Sequence, residues 1–147
     1  MNRQIGELAG RTHEDVLSVL ARADATRLKA FAEPLITDLG DIEVRENRTG
    51  LVMLPMRDTA QGVHFHLGEV LMSEARISAA GIEGYGMRRG RDLEAAMAMA
   101  LVDLCVALGL RHDDCAAFVE AEAQSQTAED EATLKRVEAT RVDMETF

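Results

Sequence analysis

Hydrophobic residues recur at helical spacing through the first forty positions, alternate with polar ones between residues 42 and 87, and then fill nearly every face of the run 92–108. Thr12 is placed to cap a short first helix, with Asp15 three positions on and Val16, Leu17, Val19 and Leu20 as its apolar side. Asp24 can cap a second helix carrying Leu28, Phe31 and Leu35. Pro34 should end that helix near Ala32 or Glu33, because proline lacks the N–H and clashes with the preceding turn. Gly40 marks the change to strands.

Ile42 and Val44 alternate with Glu43 and Arg45, the period of a half-buried strand. Asn47-Arg48-Thr49-Gly50 has turn chemistry, and residues 51–56 resume as a strand that Pro55 confines to an edge or a bulge. Residues 58–62 form a loop. Val63, Phe65 and Leu67 alternate with His64, His66 and Gly68, and residues 69–78 continue extended. Ala79-Ala80-Gly81 then turns the chain into a last strand over 82–87. The pattern predicts an antiparallel meander of about four strands.

In the run 92–108, Leu93, Met97, Ala100, Leu101, Leu104 and Leu108 form one stripe, while Met99, Val102 and Val106 fall outside it. Beyond Asp92 at its start, its only charges are Glu94 and Asp103. A helix apolar on nearly all sides must be covered nearly all round. A sheet supplies one side, and a second chain is expected on the other, with Met99 and Val106 at that contact. Residues 113–147 differ in character, with ten acidic residues against Lys135, Arg136 and Arg141. Gln124-Ser125-Gln126-Thr127 reads as a break, with Thr127 capping a final helix whose seam is Leu134, Val137, Arg141 and Met144. So sparse a tail needs a surface to lie on, and its contacts are expected at 134–147. The expected fold is a single α+β domain. Its body, 12–112, holds N-terminal helices, an antiparallel sheet of about four strands and a long apolar helix. An extended helical C-terminal arm follows at 113–147.

A net charge of −10 argues against nucleic acid and anionic membranes as partners. Two cysteines cannot build a disulfide framework, no leader pattern opens the chain, and no apolar run approaches the ~20 residues of a bilayer span. A cytoplasmic protein is expected. Eight methionines beside only five aromatic residues suit either an adaptable contact surface or an alanine-rich core.

Arg88, Arg89 and Arg91 gather where Gly90 or Asp92 would cap the long helix. A helix start attracts anions through unpaired N–H groups and the dipole, and the same dipole disfavours added cations. That conflict points to a partner, either a phosphate-like ligand or an acidic protein surface. Gly84, Gly86 and Gly90 give G-x-G-x-x-x-G, one residue too long for the dinucleotide fingerprint and without its parallel βαβ context. They read as bend or bulge glycines or as a phosphate-facing turn. His64 and His66 share a strand face and could share a metal, and with His112 and Cys115 four potential ligands exist, but no compact zinc spacing joins them. Ser18, Ser73 and Ser78 lack a nucleophile motif, so no catalytic residue is named.

Five stretches, in order, resemble one known family: Asn-Arg-Thr-Gly-Leu-Val-Met at 47–53, Phe-His-Leu-Gly-Glu-Val-Leu at 65–71, Gly-Tyr-Gly at 84–86, Gly-Arg-Asp at 90–92 and Ala-Thr-Arg-Val-Asp at 139–143. Together they resemble PhnG, the G subunit of bacterial carbon–phosphorus lyase, from about residue 12 to the end. One family member differs locally, with Tyr-Ser-Trp-Val-Leu in place of residues 85–89 and no counterpart of His64. The resemblance implies a core complex with H, I and J subunits. With an accessory L protein, that complex displaces adenine from MgATP by a phosphonate, giving a ribose 1-phosphonate 5-triphosphate. MgATP is then the complex's substrate, and the resemblance assigns this subunit no cofactor. Arg91 with Asp92 and Arg141 with Asp143 fall in the family's recurring motifs, which implies intersubunit ion pairs, with contact to ATP phosphates as the lesser role and a local surface pair as the plain one. Two other readings stand beside it: a free-standing homodimer binding a small anion at 84–92, and a structural adaptor without a ligand.

Overall fold

The computed structural model describes residues 8–141. Its elements run α1 (His13–Arg22), α2 (Ala25–Ala32), α3 (Leu35–Leu39), β1 (Glu43–Arg57), β2 (His64–Ala79), β3 (Ile82–Arg89), α4 (Leu93–Leu108) and α5 (His112–Ala139). The local stop and start signals act as their chemistry requires. Thr12 Oγ1 accepts from the Asp15 N–H, and Asp24 Oδ1 accepts from the Arg27 N–H. Pro34 separates α2 from α3, and Gly40, at φ 69°, ends α3.

The sheet is antiparallel in the order β1-β2-β3, three strands among the described residues and not four. Residues 47–50 are not a turn. Asn47 lies opposite Ala75, Arg48 opposite Glu74, Thr49 opposite Ser73 and Gly50 opposite Met72, because β2 offers an unbroken partner. Residues 64–68 and 69–78 likewise join into one strand. Pro55 does sit on an edge strand beside a register shift. The β2–β3 connection is the two-residue kind, with Ala80 at φ 51° and Gly81 at φ 77°, the backbone that matches strand twist.

Ser73, Ala75 and Ile77 are buried on the sheet face that meets α4. On the opposite face Arg48 and Arg76 each reach Glu46 and Glu74 at 3.9 Å, a loose charge lattice. Eleven residues of α4 are buried, on both of its sides. The cover opposite the sheet comes from α1, α2, α3 and α5 of the same chain. Met99 and Val106 are only 2% and 7% exposed. They belong to the chain's own core, which corrects their placement at a contact with a second chain.

The tail is one continuous helix. Thr127 does not cap; its Oγ1 donates to the Ala123 carbonyl within the helix. Its contacts lie in the first two-thirds and are both apolar and polar. Cys115, Val119, Glu122 and Gln126 are buried, and Phe118 stacks on Phe31 with ring centroids 4.4 Å apart. Arg27 grips Glu122 at 2.7 and 3.2 Å, Gln126 Nε2 donates to the Val19 carbonyl, and Arg22 forks onto Asp130. Leu134 and Val137 are 68% and 60% exposed. The described part of the expected seam therefore lies on no surface that the described residues supply. Val142, Asp143, Met144 and Phe147 lie outside the described residues.

Candidate functional site

The sheet–helix junction at 84–92 is built on close approach. A Cβ on Gly84 would lie 2.4 Å from the Ala100 carbonyl oxygen, and one on Gly86 2.1 Å from that of Ala96. These glycines let β3 press on α4; they are neither bulges nor a phosphate cradle. Gly90, at φ 93°, then turns the chain into α4.

The helix start is already occupied by the chain's own groups. Asp92 caps α4 by accepting from the Ala95 N–H, and Lys29 Nζ stands 3.0 Å from its other oxygen. That hydrogen bond, followed by the one to Lys29, holds the Asp92 carboxyl below its ordinary value. Ser73 Oγ donates to the Gly90 carbonyl at 2.6 Å and accepts from the Asp92 N–H at 2.9 Å, pinning the turn to β2.

The three arginines divide. Arg88 points inward and donates to the carbonyls of Leu20 and Ala23 at 2.5 and 2.6 Å, satisfying the C-terminal end of α1. Burial lowers the pKa of its guanidinium. Arg88 is thus a structural clamp, and a small anion would find neither it nor the Ala95 amide free. Arg89 and Arg91 are exposed and make no ion pair among the described residues. Asp92 pairs with Lys29 and not with Arg91. Beside them a shallow groove of about 340 Å³ is lined by Lys29, Ile36, Asn47, Leu93, Met97 and Leu101. Arg141 is exposed near Glu138, at 3.4 Å, a pair contributing about 0–1 kcal/mol. Asp143 lies outside the described residues.

Sequence reading passed over one buried cluster. Asp103, in the middle of α4, is 3% exposed. It accepts from the Tyr85 N–H at 2.9 Å and meets His13 Nε2 at 2.7 Å. The strand's free edge is thereby closed by a helix carboxylate, and α1 is fastened to α4. Burial raises the Asp103 pKa, against the lowering effect of its two partners. The signal was a carboxylate in the middle of an Ala-, Leu- and Val-rich helix.

Burial pushes the Cys105 thiol up to about 11 and Cys115 to about 12. Both stay protonated near neutrality, unsuited to nucleophilic attack or metal ligation. His64 is exposed, and the side chain of His66 lies outside the described residues. Among the described residues no cluster of three or more His, Cys, Asp or Glu is placed to hold a metal. No helix among them is long and apolar enough to cross a membrane.

What the site offers is a frame with two cations, Arg89 and Arg91, that are unpaired among the described residues at the head of α4. A comparison with curated proteins gives no match. The family model described as phosphonate metabolism protein PhnG matches residues 11–147, nearly the whole chain, and the protein therefore belongs to the PhnG family.

Proposed function

We propose that this chain is the G subunit of a carbon–phosphorus lyase core complex in the cytoplasm. In this role it assists displacement of adenine from MgATP by methylphosphonate, which yields α-D-ribose 1-methylphosphonate 5-triphosphate. Its partners are the H, I and J subunits, with the I subunit as the catalytic chain and the L protein as an accessory. The observation that carries this reading is the family match across residues 11–147. Two features support an assisting, non-catalytic part. The thiols are buried and protonated, and the chain bears large apolar surfaces that none of its own described residues cover.

Within that complex, Arg91 is the residue assigned to an intersubunit ion pair, with Arg89 beside it. A planar guanidinium fork grips a carboxylate with two bonds, which lysine cannot reproduce. The groove next to it favours a protein surface over a triphosphate. Its lining is mostly apolar, and its one cation, Lys29, is already shared between Asp92 and Glu94. Co-expression with the neighbouring open reading frames, followed by affinity purification, tests the assignment. Parent protein should retain the H, I and J subunits, and Arg91→Lys should weaken that retention at least about tenfold, or roughly 1.4 kcal/mol. A variant retained as well as the parent makes Arg91 a plain surface charge.

A further inference from the structure

Four consecutive residues of β1, Leu51, Val52, Met53 and Leu54, are each between 40% and 62% exposed. Successive side chains of a strand point to opposite faces, so Leu51 and Met53 lie bare on one face and Val52 and Leu54 on the other. An antiparallel sheet ordinarily buries its apolar face and turns polar side chains to water. This stretch turns apolar side chains to water on both faces. Its place in the fold gives the reason. Strand β3 ends at Arg89, opposite Met72 of β2, and α4 packs where β3 does, against Gly84 and Gly86. Among the described residues β1 and β2 run on past that end as a ribbon, from Leu51 opposite Leu71 to Arg57 opposite His64.

Val63, Phe65 and Leu67 are exposed to the same degree. Seven large apolar side chains on one short ribbon are a contiguous surface of the kind that marks a contact, not the scattered apolar residues of an ordinary exterior. From Thr49 to Leu71 the only full charges are Arg57, Asp58 and Glu69, in a chain of net −10. A two-stranded ribbon alone in water is marginally stable at best, so cover on its faces also steadies it.

We infer that the ribbon 49–71 is an arm that inserts between two apolar walls of a different, less acidic subunit, one wall on each face. The inference rests on the subunit reading above and names the surface through which assembly occurs. Exposure on both faces selects a cleft. A partner lying flat on one face would leave either Leu51 and Met53 or Val52 and Leu54 in water. Burial of side-chain area supplies the affinity, and no main-chain pairing is required. A second copy is the wrong receptor, because two stacked ribbons cover only one face of each. The grooves of this chain do not take two strands either. One of about 530 Å³ has Asp41, Glu43, Arg45 and Glu83 on its walls, and the apolar one beside Lys29 holds about 340 Å³. A second copy would also bring another ten negative charges against the first, whereas a less acidic subunit is drawn in. An anionic lipid surface is repelled by the same charge.

The test uses the full chain co-expressed with the H, I and J subunits. Met53→Cys and Leu54→Cys place a thiol on each face in turn. The native Cys105 and Cys115 are fully buried, so alkylation by iodoacetamide reads the new thiol. Both should react freely in the isolated chain and at least tenfold more slowly in the complex. Independently, Met53→Lys and Leu54→Lys should each lower partner retention at least tenfold while the isolated chain melts as the parent does. Where a lysine variant does not fold, the two thiols decide. Protection at neither position or at only one, or folded lysine variants retained at the parent's level, overturns the arm and leaves the subunit reading standing. A parent that retains none of the three subunits overturns both. Thiols already protected in an isolated chain that light scattering shows to be a dimer assign the ribbon to a second copy. Thiols protected by phosphatidylglycerol vesicles and not by the subunits assign it to lipid. Either result overturns the proposal.

Discussion

Gly86→Ala is expected to destabilise the protein by about 3 kcal/mol or more, although it adds one methyl group. The new Cβ would stand 2.1 Å from the Ala96 oxygen and 2.9 Å from the Ala100 nitrogen, both backbone atoms that no rotamer change can move. Ala96 and Ala100 are themselves fully buried, so the strand and helix are already at their closest approach. Relief requires α4 to lift from β3, which opens the packing of Ala75 and Ile77 beneath it. Urea unfolding of parent and variant measures the effect. Gly50→Ala is the matched control, since its Cβ meets nothing within 4 Å; it should change stability by less than about 1 kcal/mol. Equal stability of the two variants would contradict the helix–strand contact.

Asp103→Leu is expected to destabilise by about 3 kcal/mol. The substitution leaves the Tyr85 N–H without its acceptor at a sheet edge and frees His13 from α4. Asp103→Asn keeps an acceptor for Tyr85 while removing the charge, and should cost about 1 kcal/mol. The difference between the two isolates the edge-closing bond. Had burial of the carboxylate cost as much as its bonds return, the leucine variant would equal the parent in thermal and urea unfolding.

Elements whose signals are local were legible in the sequence. Thr12, Asp24 and Asp92 cap the helices they precede because capping needs only a side chain and an amide three residues away. Asn47-Arg48-Thr49-Gly50 misled because a four-residue turn preference is weaker than pairing along a whole neighbouring strand. The all-round apolarity of α4 correctly signalled all-round cover, but its source was misplaced. Short helices with few core residues each, α1 to α3, combine with α5 to supply it. The tail needs a surface, as its composition signalled, but the place of contact was not legible, since it includes Arg27–Glu122, Gln126–Val19 and Arg22–Asp130, polar contacts spanning about a hundred residues. Among the site residues, clustering in sequence gave Arg88, Arg89 and Arg91 a common role that the fold divides. Residue 88 falls on the strand where it can reach the end of α1, and its neighbours do not.

The function itself is tested most directly by adenine release. Purified H, I and L proteins are mixed with MgATP and methylphosphonate, with and without this chain, and free adenine is followed over time. Release that depends on adding this chain, and that falls away when it is withheld, is the predicted result. Adenine released at the same rate in its absence would contradict an assisting role in the displacement.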